Sequence, residues 1–283
     1  MDRNGGWLVY EIDDMMFDGT FLGTDEEKAR LVEKYGDLNK NSIPLYNRGR
    51  PAFEGERVQR NIRQMLNQAD LVTVTTDYLR NVYHDFYGVP LEKIVALPNF
   101  MPKWWIGGKY RPDDKAEQFR KNKAKPRIGI VSSLSHYNVD GVREDASGRA
   151  VRRRKLPDGS EKWFDEQGAE VDFAATTEVV DDIDAVLECI RGTVDEFQWV
   201  FFGYCPPKMM DLAKKGKVEV HGGVALMDYP VAFDQLGLQA VVAPINPTGF
   251  NFCKSFIKYM EASALGIPCF ATRCLPYDRV MPD

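Results

Sequence analysis

Short apolar runs alternate with stretches of helical spacing along most of the chain. Residues 7–12, 71–75 and 94–97 read as strands, with polar residues gathered just after them. Runs of this kind suit parallel strands buried on both faces. Between them, residues 54–68 place Val58, Ile62, Met65 and Leu66 on one helical face. Thr76 and Asp77 cap a helix running to about Tyr87, with Gly88 past its end. Strands are expected again at 127–131, 199–202, 218–221, 240–244 and 267–271. Helices are expected near 178–191, at 207–215, after the N-cap Asp228, and from about Lys254 to Ala264, closed by Gly266.

Residues 138–175 break this rhythm. Three turn signals, Ser147-Gly148, Asp158-Gly159 and Gln167-Gly168, separate short segments of β-type alternation. A β-meander inserted into an α/β domain is the reading. Residues 101–125 carry Pro102, Gly107-Gly108, Pro112 and a charged run, and read as a linker. The expected organisation is a reduced Rossmann-like domain over 1–100, the linker over 101–125, and a second domain over 126–283 with its insertion at 138–175. Trp104-Trp105 reads as an interdomain packing element, against the alternative of a sugar-stacking platform.

The 283 residues carry 37 basic and 42 acidic side chains, a formal charge of −5. That balance disfavours a dedicated nucleic-acid binder, although a local basic patch is compatible with it. At 44% hydrophobic and 28% charged, the chain has ordinary globular usage. No apolar stretch approaches a membrane span, and no signal peptide is visible, so a cytoplasmic location is expected. Five scattered cysteines without a CxxC pair suit a reducing compartment rather than a disulfide or zinc scaffold.

The most informative stretch is 243–268: a strand, a glycine-containing loop and a helix whose first turn is expected to hold Lys254 and Ser255. Free amides and the positive dipole end of a helix suit a phosphate there. Lys254 adds a full charge and Ser255 a donor. Glu261, nearly two turns on, suits a ribose diol. The bland alternative is a capped helix with solvated side chains.

This stretch resembles the nucleotide-sugar segment of GT-B glycosyltransferases, especially family 4 and phage-encoded relatives. The matching residues are Phe250-Asn251, Lys254-Ser255, Lys258, Glu261, Ala264, Gly266 and Pro268. Further similarities follow in chain order: Tyr10–Asp14, Ala69–Thr76, Leu97-Pro98-Asn99, Arg127-Ile128-Gly129, Ser133–His136 and Pro276-Tyr277. The resemblance implies a GT-B-like fold of two Rossmann-like α/β domains. It implies an enzyme moving a hexose from a nucleotide diphosphate sugar to a hydroxyl acceptor, retaining and metal-independent, with no cofactor beyond the donor. Lys254 and Ser255 would hold the diphosphate, helped by Lys258, and Glu261 the ribose. Gly249, Phe250 and Asn251 would shape the loop over the sugar. His136, Asp13 and Asp14 would face the reaction.

Several residues depart from that family's pattern. Cys253 stands where a first glutamate is usual, and the 132–137 loop has neither Arg nor Lys. The first domain also matches only from a late strand. These departures motivate a rival reading, a non-catalytic binding or virion-associated module; an epimerase of similar fold is a second rival. Asp13-Asp14 alternatively suggests a metal pair or a strand-end hydrogen-bonding role. His84 reads as structural, and His221 as structural or base-side. Arg152, Arg153 and Arg154 in the insertion suggest contact with nucleic-acid phosphate, such as modified DNA, against the alternative of a solvated hairpin balanced by acidic neighbours.

Overall fold

The computed structural model describes residues 6–17, 24–38, 42–48, 50, 55–106 and 125–281. Most of the expected linker therefore lies outside the described residues. Two compact units emerge. The first comprises Met1–Asn99, Pro247–Ser255 and Cys274–Asp283; the second comprises Phe100–Asn246 and Phe256–Arg273.

In the first unit, β1 (Val9–Glu11), β2 (Leu71–Val74) and β3 (Ile94–Ala96) form a parallel sheet in that order. Helices α1 (Asp25–Tyr35), α2 (Glu56–Gln68) and α3 (Asp77–Tyr87) contribute Leu31, Ile62, Leu66, Leu79, Val82 and Phe86 to one core with Val72, Val74 and Ile94. Helix α3 begins as its sequence dictates. Thr76 Oγ1 accepts the Leu79 N–H, and Gly88 closes the helix at φ 70°, a left-handed position suited to glycine. Helix α1 has a full capping box between Thr24 and Glu27, a signal the strand-and-helix reading passes over.

The expectation that the first strand is buried on both faces needs correction. Trp7 is 74% exposed and Val9 51% exposed, and Val95 and Leu97 of the same sheet are also exposed. The exposure lies on the edge strands β1 and β3, whereas on the central strand Val72, Thr73 and Val74 are all shielded.

The second unit holds β4 (Arg127–Ser132), β10 (Gln198–Gly203), β11 (Val218–Gly222), β12 (Ala240–Ala243) and β13 (Cys269–Ala271). All are parallel, in the order β11-β10-β4-β12-β13. The chain winds outward from β4 to one side, then returns to fill the other. The winding reverses between β4 and β12. One core, with Ile130, Trp199 and Phe201, forms on one side; another, with Val131, Val200, Phe202 and Phe233, forms on the other. This sheet is buried on both faces, as parallel sheets generally are.

The insertion is a five-stranded antiparallel sheet: β5 (Arg143–Glu144), β6 (Ala150–Lys155), β7 (Glu161–Phe164), β8 (Glu170–Val171) and β9 (Thr177–Glu178). Its three expected turns are present, with Gly148, Gly159 and Gly168 at positive φ. Asp145 and Asp165 each fold back to accept two backbone N–H groups of their own turn.

The remaining helices are shorter than the spacing predicts. After α4 (Lys103–Ile106), the expected 178–191 helix is helical only as α5 (Leu187–Thr193). The 207–215 helix splits into a 3₁₀ turn and α6 (Met210–Lys214). Helix α7 (Tyr229–Gln235) does follow Asp228, but that side chain makes no capping bond. The expected 254–264 helix divides into α8 (Gly249–Phe252) and α9 (Ile257–Ala264).

Candidate functional site

The division of the last helix changes the position of Lys254 and Ser255. They are not in its first turn; they lie between α8 and α9. Thr248 starts the earlier turn by accepting the Asn251 N–H at 3.3 Å. Phe250 and Cys253 are then buried in the core of the first unit, and Phe252 meets Tyr78 edge-on at 5.8 Å. Asn251 is buried as well.

Segment 248–255 lies along the carboxyl ends of the first sheet's strands. Thr76, after β2, donates its hydroxyl to the Cys253 carbonyl at 3.1 Å. Asn99, after β3, donates to Ser255 Oγ at 2.7 Å. Lys254 Nζ lies 2.8 Å from Asp14 Oδ1, after β1, and 4.5 Å from the centre of the Phe250 ring. The expected phosphate-binding ammonium thus holds a carboxylate partner. The Asp13 carbonyl accepts the Thr75 hydroxyl at 3.4 Å. Burial raises the Cys253 thiol well above its ordinary range.

Gly249, Phe250, Asn251, Lys254 and Ser255 belong to the first unit, with Asp13 and Asp14; Lys258, Glu261 and His136 belong to the second. Glu261, on α9, accepts the Tyr229 hydroxyl at 3.1 Å. Burial pushes its carboxyl up to about 7, against opposing pulls from Tyr229 and Lys258. Tyr229 is packed among aromatics: it stacks on Phe202 at 5.3 Å and leans on Trp105 at 5.1 Å.

His136 follows β4, and its Nδ1 lies 2.7 Å from Asp182 Oδ2. The other oxygen of Asp182 accepts the N–H of Asn246, after β12, at 2.8 Å. Asp182 is 1% exposed. The neighbouring Asp181 accepts the N–H groups of Asn138 and Ile183 and lies 3.9 Å from Lys208 Nζ. Burial raises the Asp181 carboxyl to about 6; Asn138 and Lys208 oppose the rise. Asp181, Asp182 and Tyr229 escape the sequence reading, because the spacing of their segments puts Asp181 and Asp182 inside a helix.

The other candidates are placed as follows. His84 Nδ1 pairs with the Val89 carbonyl at 2.8 Å, and His221 lies 2.5 Å from Glu219. On β6, Arg153 pairs with Glu161 across the strands at 2.9 Å, and Arg154 lies over the Phe164 ring. Arg152 is opposite Phe164 in the register. From Asp140 to Glu178 the insertion carries seven basic and ten acidic side chains, so its arginines sit in a net-acidic element. Among the described residues no cluster of three His, Cys, Asp or Glu could hold a metal ion, and no helix is long and apolar enough to cross a membrane.

No protein-family model and no curated protein matches the chain. Among solved structures, Anabaena Alr3699/HepE in complex with UDP and glucose is 14% identical, with a TM-score of 0.48, over 97% of this chain and 55% of that one. A glycosyltransferase from Rickettsia africae ESF-5 is 10% identical, with a TM-score of 0.42, over 81% and 51%. A mutant of S. aureus TarM, in complex with fondaparinux, alpha-GlcNAc-glycerol and UDP, is 11% identical, with a TM-score of 0.41, over 83% and 36%. The chain spans about half or less of the length of these structures.

Proposed function

We propose that the chain is a glycosyltransferase of the GT-B type, moving a hexose from a nucleotide diphosphate sugar to a hydroxyl acceptor. The observation that carries this reading is the reversal of winding between β4 and β12, with His136 and Asn246 on its two sides. Open parallel α/β sheets bind nucleotide ligands beyond the carboxyl ends of their strands at such a point. In this reading Glu261 holds the ribose diol as a carboxylate, and Lys254 and Ser255 hold the diphosphate, with Lys258 adding charge. Gly249, Phe250 and Asn251 shape the sugar loop, and His136, Asp13 and Asp14 serve the reacting groups. Transfer then rests on stabilising the departing nucleoside diphosphate by fixed charge and hydrogen bonds, and on holding the acceptor hydroxyl on the face of the sugar from which the diphosphate leaves. The acceptor oxygen bonds the anomeric carbon as the bond to the diphosphate breaks on the same face, which gives retention. A donor phosphate oxygen takes the acceptor proton, so neither a separate base nor a metal is required.

A second reading, a binding module that keeps this fold without transfer, is favoured by one observation: Asp14 already neutralises Lys254. A thermal-shift panel of nucleotide diphosphate sugars, followed by product analysis, tests both. Stabilisation by one donor and release of its nucleoside diphosphate support the transferase. Stabilisation without turnover supports the module, and no shift with any donor rejects nucleotide-sugar binding.

A further inference from the structure

The carboxylate of Asp182 spans the point where the second sheet reverses its winding. Its Oδ2 lies 2.7 Å from His136 Nδ1, on the loop after β4. Its Oδ1 accepts the Asn246 N–H at 2.8 Å, on the loop after β12. Its own N–H donates to the His136 carbonyl at 3.3 Å, so backbone and side chain grip the same residue. Asp182 enters from a third direction, on the chain that leaves the inserted meander after β9. Three segments far apart in sequence thus meet on one buried side chain.

We infer that Asp182 is the positioning residue of His136. It fixes the ring at the switch point with the proton on Nδ1 and leaves Nε2 as the acceptor nitrogen. The chemistry is plain. An ionised carboxylate only accepts, so the nitrogen facing it carries hydrogen, and in the neutral ring the other nitrogen has the lone pair. If the ring takes a second proton, the same carboxylate stabilises the imidazolium. Further contacts surround the dyad. The Tyr137 ring lies 6.5 Å from His136, and the Tyr137 hydroxyl bonds Ser132. Asp181 turns instead to Asn138 and Ile183, while Lys208 bonds both oxygens of Asp184 at 2.7 Å. Asn138 also exchanges two hydrogen bonds with Val142, which ties the entry of the meander to the same buried neck. The inserted sheet is therefore anchored beside the candidate ring.

The inference rests on the glycosyltransferase reading only for what the ring serves. Asp182→Asn separates positioning from general support, because an amide offers one acceptor oxygen where the carboxylate offered two. His136 and the Asn246 N–H then compete for it. Nitrogen and carbon NMR of His136 in the intact protein, without ligand, is expected to show the Nδ1–H tautomer in the wild type. A mixture with the Nε2–H tautomer is expected in Asp182→Asn, and Asp182→Glu should restore the wild-type pattern. In transfer assays Asp182→Asn should lower kcat about tenfold or more while the donor KM changes by less than about threefold. An Nε2–H tautomer in the wild type overturns the inference even if the variant fails to fold. So does an unchanged tautomer in a folded Asp182→Asn. Nucleotide-sugar binding is a separate readout, so a correct tautomer in a chain that binds no donor would refute the transferase and leave the dyad standing.

Discussion

Lys254 and Asp14 form an ion pair across 240 residues of sequence, Nζ to Oδ1 at 2.8 Å, with the ammonium also 4.5 Å from the Phe250 ring centre. Both side chains are partly exposed, so the pair adds at most about 1 kcal/mol to stability. Its consequence is electrostatic: a phosphate approaching Lys254 meets the Asp14 charge as well. Asp14→Asn is therefore expected to tighten binding of the nucleoside diphosphate selected by the thermal-shift panel about threefold at low salt, an advantage that shrinks as salt rises. Titration calorimetry at two ionic strengths checks this. Weaker binding by the variant would mean that Asp14 orients the ammonium rather than competing for it.

Glu261 makes stability depend on pH. Its carboxyl titrates at about 7 in the fold, against 4.5 as its ordinary value, because burial disfavours the charge. An acid raised in this way favours the fold most below the ordinary value. That advantage is lost as pH rises through the folded value, so the ionised residue is a burden above pH 7. Glu261→Gln should therefore be more stable than the wild type at pH 8 by about 1–3 kcal/mol, and nearly equal to it at pH 4.5. Urea denaturation at the two pH values measures the difference. In the proposed reading the ribose contact needs the carboxylate, so wild-type donor affinity should also rise as pH passes through this range.

Lys208 lies among Glu178, Asp181 and Asp184 at 3.1, 3.9 and 2.7 Å. Removing it as Lys208→Met strands buried acidic charge and should cost about 2–4 kcal/mol at pH 8. Asp181 takes up its proton near pH 6, so the loss should be smaller at pH 5. A loss independent of pH would mean that the alkyl stem, not the charge, supports this neck.

Gly203 ends β10 at φ 98°, and a Cβ there would stand 2.6 Å from the Ser132 carbonyl oxygen. Both the backbone conformation and the close approach oppose a side chain. Gly203→Ala should cost about 1–3 kcal/mol in chemical denaturation. It should also disturb the end of β4, which leads into the loop that holds His136.

Local rules made much of this legible. The Thr76 cap, the Gly88 terminator and the three glycine turns of the meander lie where spacing and turn chemistry put them. Two kinds of information were not local. The apolar run at 7–12 gives no sign of whether a second layer covers it, and Val9 is in fact exposed. The helical spacing of Val179, Ile183, Val186 and Ile190 masks the role of the two aspartates. Asp181 accepts the Ile183 N–H, and short acidic side chains that bind nearby backbone compete with the helix. Likewise, Thr248 caps an earlier turn, which shifts Lys254 and Ser255 out of the helix start.

The most direct measurement is calorimetric titration of nucleoside diphosphates, the one best stabilising the protein in the thermal-shift panel first, into the wild type, Lys254→Ala and Glu261→Ala at pH 8. Saturable binding by the wild type is predicted, with affinity about tenfold lower or worse in each variant. Equal affinity in all three folded proteins, or no binding of UDP, UDP-glucose or any other nucleoside diphosphate to the wild type, would contradict the assignment of this donor site.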